Sequence, residues 1–265
     1  MNKSILTAII ATTLIAGFAS SDAGARERGR SMHRTGNVHE GSVSRERDNA
    51  RFDSDRQRDW QRDGQGNASG STSHTVTGAN GGSAERQGSY YRNADGSAGH
   101  EGSMSATGKD GGTMQSSGST TRDADGNVSG SRTTTATGAN GGTYTGTTTW
   151  ENGQATHTGT VTGANGGTAQ VNGEYSRDAD GNVTRSRDTT VTNKNGGTAQ
   201  INGDYSRDAD GNVTRSINTT ATNKNGGTYT GSTTKTNGEV THTGTCTNAA
   251  GAVVDCPQRK DDDKN

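Results

Sequence analysis

Past residue 25 this sequence has no leucine; the chain's two leucines, Leu6 and Leu14, both precede that point. Other large apolar side chains are almost as scarce there. Ile201 and Ile217 are its only isoleucines, Phe52 is its only phenylalanine, and the rest are scattered Val, Tyr, Met and Trp. Burial contributes roughly 25 cal/mol per Å² of apolar surface, against about 1 to 2 kcal/mol per residue for ordering the backbone. A compact globule with a leucine core is therefore excluded. Two alternatives remain: a thin structure held by backbone hydrogen bonds and neighbour stacking, or a largely disordered low-complexity chain.

Also missing is an excess of charge of one sign. The formal net charge is −1, which argues against general attraction to nucleic acid or anionic membrane. The arginines between Arg26 and Arg62 stand among Glu27, Glu40, Glu46, Asp48, Asp53, Asp55 and Asp59, and only Phe52 and Trp60 could stack on bases. Residues 26–62 thus read as a disordered mixed-charge segment with no nucleic-acid partner. No Ser/His/Asp or Cys/His arrangement has a definable spacing, and paired carboxylates fall only in exposed turns where nothing would raise a pKa. Asp178, Asp180 and Asn182 offer oxygen ligands, but an EF-hand loop needs glycine at its sixth position and glutamate at its twelfth. Here Gly181 is the fourth residue and Thr189 the twelfth. No catalytic residue, cofactor or metal site is expected, and the chain is expected not to be an enzyme.

What is present begins with an N-terminal lysine, an apolar run from Ile5 to Phe18 and the small residues Ala23-Gly24-Ala25. That order describes a secretory signal peptide over 1–25, cleaved before Arg26. The apolar run is shorter than the roughly 20 residues a membrane span needs, so no span is expected once it is cleaved. Cys246 and Cys256 lie close together in a chain expected to be exported, which predicts a disulfide. Residues 258–265 read as a charged tail.

Between these ends runs a repeat, over 63–257. A double glycine recurs as Gly81-Gly82, Gly111-Gly112, Gly141-Gly142, Gly166-Gly167, Gly196-Gly197 and Gly226-Gly227, at spacings of 30, 30, 25, 30 and 30 residues. The larger unit of 85 residues is duplicated: TYTGTTTWENGQATHTGTVT at 143–162 returns as TYTGSTTKTNGEVTHTGTCT at 228–247. Midway between double glycines comes a second signal, Asp-Ala-Asp-Gly-Asn at 123–127, 178–182 and 208–212, or Asn-Gly at 152–153 and 237–238. Such dipeptides supply the positive φ angles of tight hairpins. Two turns per unit with about ten residues between them predict strand-turn-strand units.

Alternation agrees with this. Thr143, Thr145, Thr147 and Thr149 share one face, with Tyr144, Gly146, Thr148 and Trp150 on the other; beyond the Asn-Gly turn, Thr156, Thr158, Thr160 and Thr162 continue the threonine face. The expected fold is all-β: an antiparallel meander, or a flattened β-solenoid or single-layer sheet. The segment Tyr175-Ser-Arg-Asp-Ala-Asp-Gly-Asn-Val-Thr184 resembles the hairpin of YD-repeat extracellular proteins, which implies strand-turn-strand over those ten residues and no function.

The role expected from these features is structural: a secreted, periplasmic or cell-surface component of a fibre, biofilm matrix or adhesin, acting through self-association or a surface polymer. Thr, Asn, Gln and Gly repeats can stack in side-chain ladders without a leucine core, and in composition the chain resembles curli-type matrix amyloids. One alternative is a threonine-face module for ice or a repetitive glycan. Another is a disordered extracellular filler.

Overall fold

The computed structural model describes residues 25–256. The rest of the expected signal peptide and the charged tail lie outside the described residues. Strands join through turns of two to five residues, and no helix occurs among the described residues. The chain divides into two units, Met1–Asn152 and Gly153–Asn265.

The first unit contains β1 (Ala25–Thr35), β2 (Val38–Asp48), β3 (Phe52–Arg62), β4 (Ala68–Gly78), β5 (Ser83–Arg92), β6 (Ala98–Thr107), β7 (Thr113–Arg122), β8 (Val128–Thr137) and β9 (Thr143–Glu151). Each pairs antiparallel with the next in sequence order. The second unit contains β10 (Gln154–Thr162), β11 (Thr168–Arg177), β12 (Val183–Thr192), β13 (Thr198–Arg207), β14 (Val213–Thr222), β15 (Thr228–Thr236), β16 (Glu239–Thr247) and the short β17 (Val253–Val254), again paired in sequence order. Each unit is the expected antiparallel meander, laid out as a single-layer sheet.

Turn chemistry sets the cadence. In Asp178-Ala-Asp-Gly-Asn182 the Gly181 N–H donates to the Asp178 carbonyl at 3.2 Å and the Asp178 N–H to the Asn182 carbonyl at 3.2 Å. Gly181 sits at φ 91°, the left-handed position that closes a type I turn with a bulge. Gly163-Ala-Asn-Gly-Gly167 has the same pattern, with Gly166 at φ 86°. Asn237-Gly238 is the two-residue alternative, with φ of 48° and 101°. These turns explain the two repeat lengths: 10-residue strands on five-residue turns at β11 and β12, and 9-residue strands on Asn-Gly at β15 and β16. Within each unit the double-glycine turns fall on one edge of the meander, and the Asp-Gly or Asn-Gly turns on the other.

Two expectations are corrected. Residues 26–62 were expected to lack regular structure, yet β1, β2 and β3 occupy them; their residues alternate with period two, which composition does not register. The double glycines were expected to need unusual φ angles together. Only the first of each pair has positive φ, namely Gly81, Gly111, Gly141, Gly166, Gly196 and Gly226. At Gly197 and Gly227 the requirement is room: a Cβ would meet the Asn193 side chain at 2.7 Å and the Asn223 side chain at 2.8 Å.

The core is nearly absent, as the lack of leucine implied. Among the described residues Val183 and Cys246 are the buried apolar side chains and Ser116 the buried polar one. Half-buried aromatics lie over cross-strand glycines instead. A methyl at Gly41 would meet the Trp60 ring at 2.6 Å, one at Gly70 the Tyr90 ring at 2.7 Å, and one at Gly130 the Trp150 ring at 2.5 Å. The predicted disulfide forms, Cys246–Cys256 with Cα atoms 5.2 Å apart, and ties down β17.

Candidate functional site

A single layer of strands offers two faces and two edges, so each candidate residue can be placed by register. In the first unit Thr143, Thr145, Thr147 and Thr149 stand opposite Thr137, Thr135, Thr133 and Ser131 of β8. The Thr133 and Thr147 hydroxyls hydrogen-bond at 3.2 Å. In the second unit Thr156, Thr158, Thr160 and Thr162 face Glu174, Asn172, Gln170 and Thr168. Along β11 the threonine face is interrupted by Gln170, Asn172 and Glu174. Across the strands it is continuous in one row, Thr162, Thr168, Thr192, Thr198, Thr222, Thr228 and Thr247. The Thr228 and Thr247 hydroxyls hydrogen-bond at 2.7 Å.

The registers also show an arrangement that the sequence reading missed: charge is sorted by face. On β2 and β3 the residues Arg45, Arg47, Arg56, Arg58 and Arg62 share one face, while Glu40, Glu46, Asp48, Asp53, Asp55 and Asp59 share the other. Arg30 and Arg34 of β1, Arg86 and Arg92 of β5, Arg122 of β7 and Arg132 of β8 join the arginine face, with Trp60, Tyr90, Tyr144 and Trp150. Glu85, Glu101 and Glu151 join the acidic, hydroxyl-rich face. The second unit repeats the division, with Arg185, Arg187, Arg215 and Lys235 on the side of Tyr175 and Tyr205, and Glu174, Asp188, Asp204 and Glu239 on the threonine side. Every described strand arginine, lysine, aspartate and glutamate follows the rule, while His33, opposite Glu40, stands on the acidic face. The acids Glu40, Glu46, Asp48, Asp53, Asp55 and Asp59 thus lie on the face opposite the arginines of the same strands and do not pair with them in register.

Like charges consequently meet in register. Arg56 lies opposite Arg45 on one side and His74 on the other, and His74 opposite Arg86. Burial pushes the His74 pKa down, and the charges of Arg56 and Arg86 push it further. On the acidic face Asp53 stands opposite Asp48. The hydrogen bond between these two carboxyls, then the Asp48 charge, raises the Asp53 pKa. In the second unit Arg185 lies between Tyr175 and Tyr205, its guanidinium carbon 5.2 Å and 5.9 Å from the ring centres.

The Asp-Gly edge carries a row of aspartates. Asp178 accepts the Asn182 backbone N–H at 2.9 Å and its side-chain N–H at 2.8 Å, and Asp123 and Asp208 clip Asn127 and Asn212 in the same way. The side-chain bond from asparagine is the main cause that lowers the pKa of each aspartate. Asn182 in turn accepts the Ala209 N–H at 2.8 Å, linking successive turns along the edge. Asp63-Gly-Gln-Gly-Asn67 is a divergent copy: Asp63 accepts the Asn67 N–H at 3.0 Å, and Asn67 accepts the Ala94 N–H at 2.8 Å. These aspartates hold turns, and no group of three or more His, Cys, Asp or Glu suited to a metal occurs among the described residues.

Two hollows on the sheet are open to solvent and mixed in their lining, with Met104 in one and Tyr175 and Tyr205 in the other. One is lined by Gln87, Ser103, Gln115, Ser117 and Thr133 of the first unit, another by Thr156, Glu174, Ser186, Asp204 and Thr214 of the second. Neither resembles the concave, mostly apolar pocket that takes a small ligand. In comparison with known proteins, no family model matches the chain, and no curated protein and no solved structure matches it.

Proposed function

We propose that this is an exported, non-catalytic structural protein that self-associates at the cell surface or in the extracellular matrix, as a component of a fibre or biofilm. The observation that carries this reading is the thinness of the fold, whose buried apolar side chains are Val183 and Cys246 among the described residues. A sheet whose two faces are both open presents repeated surface over most of its area, and stacking on another layer supplies the burial that a core would. The Cys246–Cys256 disulfide fits an oxidising compartment, and no helix among the described residues is long and apolar enough to cross a membrane. The test is concentration-dependent assembly of the full chain, followed by electron microscopy and fibre diffraction. Assemblies with reflections near 4.8 Å and about 10 Å support the reading; a chain that stays monomeric at every concentration overturns it.

The unbroken threonine row favours a second reading, recognition of a repetitive ligand such as ice or a glycan lattice. Threonines along a strand are spaced by about 7 Å and strands by about 4.8 Å, a regular array of hydroxyls and methyls. Replacing Thr192, Thr198 and Thr222 with valine should abolish ice shaping or glycan retention without loss of strand signal in circular dichroism. Unchanged binding rejects this second reading.

A further inference from the structure

We propose that the arginine face of one copy of this chain docks on the acidic face of the next, so that copies stack in one polar direction. The inference rests on the self-assembly reading above and assigns the surfaces through which assembly occurs.

Its basis is the sorting of charge by face in the first unit. Cross-strand neighbours of opposite charge stabilise a sheet and directly opposed like charges destabilise it. The sequence nevertheless sets Arg45 opposite Arg56 and, through the same two strands, Glu46 opposite Asp55. Exchanging sides within either strand would have produced ion pairs inside the layer. The ion pair Lys109–Asp110, at 2.8 Å, lies in a turn and on neither face. Along the row of Arg45, Arg56 and Arg86 and the row of Glu46, Asp55 and Glu85, compensation is then sought outside the layer.

A second copy compensates both faces at once. The arginines and the acids are two sides of one strand lattice, so their spacing is the same, about 4.8 Å across strands and about 7 Å along them. Packed sheets lie about 10 Å apart, a gap that extended arginine and carboxylate side chains can bridge from opposite sides. A polyanion such as a sulfated or uronic-acid polysaccharide would neutralise the arginine face alone and leave the acidic rows opposed. Because the two docking surfaces differ, each added copy exposes a fresh surface of each kind, the heterologous contact that builds open assemblies.

The experiment compares three full-length proteins by sedimentation velocity. They are the unaltered chain, the variant R45E/R56E/R86E, which makes the central row of the arginine face acidic, and the variant E46R/D55R/E85R, which makes the adjoining row of the acidic face cationic. Measurements are made at about 0.01 M and about 1 M salt, where the Debye length falls from roughly 30 Å to roughly 3 Å. The proposal expects the unaltered chain to assemble at low salt and dissociate at high salt. Each variant alone should remain unassembled, and their equimolar mixture should recover the large species. A variant that assembles alone as the unaltered chain does, or assembly indifferent to salt, overturns this interface while leaving the self-assembly reading intact. An unaltered chain that never assembles overturns both, and its retention on heparin would then assign the arginine face to a polyanion. Circular dichroism checks that the variants keep their strands; if they do not, the salt series of the unaltered chain decides.

Discussion

Strands β1 to β3 and strands β11 to β14 are built on the same antiparallel pattern from different materials. The first set carries a charge at almost every second position, and its turns are irregular: Gly36-Asn37, then Asn49-Ala-Arg51, where Asn49 accepts the Arg51 and Phe52 N–H groups at 2.9 and 3.0 Å. The second set carries far fewer charges, and its turns keep one cadence with Asp or Asn clips and a left-handed glycine. The difference teaches that register here does not depend on what covers the faces. Turn geometry and alternation specify the strands, which leaves the faces free to carry dense arginine and carboxylate in one region and mainly threonine with sparse charge in the other.

That comparison can be broken in several ways. The largest effect is expected at the C-terminal edge, where C246S/C256S removes a closure of about ten residues, for which the chain-entropy model gives roughly 3 kcal/mol. Hydrogen exchange should then show β17 frayed and β1 to β3 unchanged; equal loosening of both ends would mean that the two regions fold as one cooperative body. Next comes Gly211→Val, which forces a β-branched residue to φ 88° and should cost about 2 kcal/mol in thermal or denaturant unfolding. Gly167→Val, at a residue without positive φ and with 3.4 Å of clearance, should cost clearly less.

The arginines should answer in opposite directions. Arg185→Ala removes the cation between two tyrosine rings and should destabilise by about 0.5 to 1 kcal/mol. Arg56→Gln removes a like-charge neighbour and should stabilise the unassembled chain at low salt by up to about 1 kcal/mol, with the His74 pKa moving back up in an NMR titration. Destabilisation by both would show that arginine packing outweighs repulsion.

The smallest effect is with acid. Asp123, Asp178 and Asp208 have lowered pKa values, so the stability they add is present above the ordinary carboxylate value of 3.8 and is lost as pH falls through their folded pKa. Asp53 is raised, so acidification below its folded pKa relieves repulsion with Asp48. Residue-resolved exchange between pH 5 and pH 2 should therefore loosen the Asp turns while β2 and β3 hold; uniform loosening would contradict the assignment.

Much of this fold was legible in the sequence because its determinants are local. Asn237-Gly238, Gly166 and Gly181 each name a turn type through the φ that only certain residues tolerate, and the two sulfurs were close enough in sequence to pair. The strands over 26–62 and the two charged faces were not legible from composition, since Ser44-Arg-Glu-Arg-Asp48 adds to zero charge while placing its arginines on one side and its acids on the other. Counting parity from the Gly36-Asn37 turn would have found the sorting. The continuous threonine row needed the register as well, because Thr168, Thr192 and Thr198 are joined only by strand pairing.

The five-residue turns have one more consequence. Since 10-residue strands alternate with five-residue turns, inserting or removing one hairpin with its turn returns the chain to the same direction, the same edge and the same side of the layer. Length is thus a variable the protein can change without redesign. A gene carrying such a sequence can lose or gain copies by unequal recombination, and each product would still fold with its faces in order.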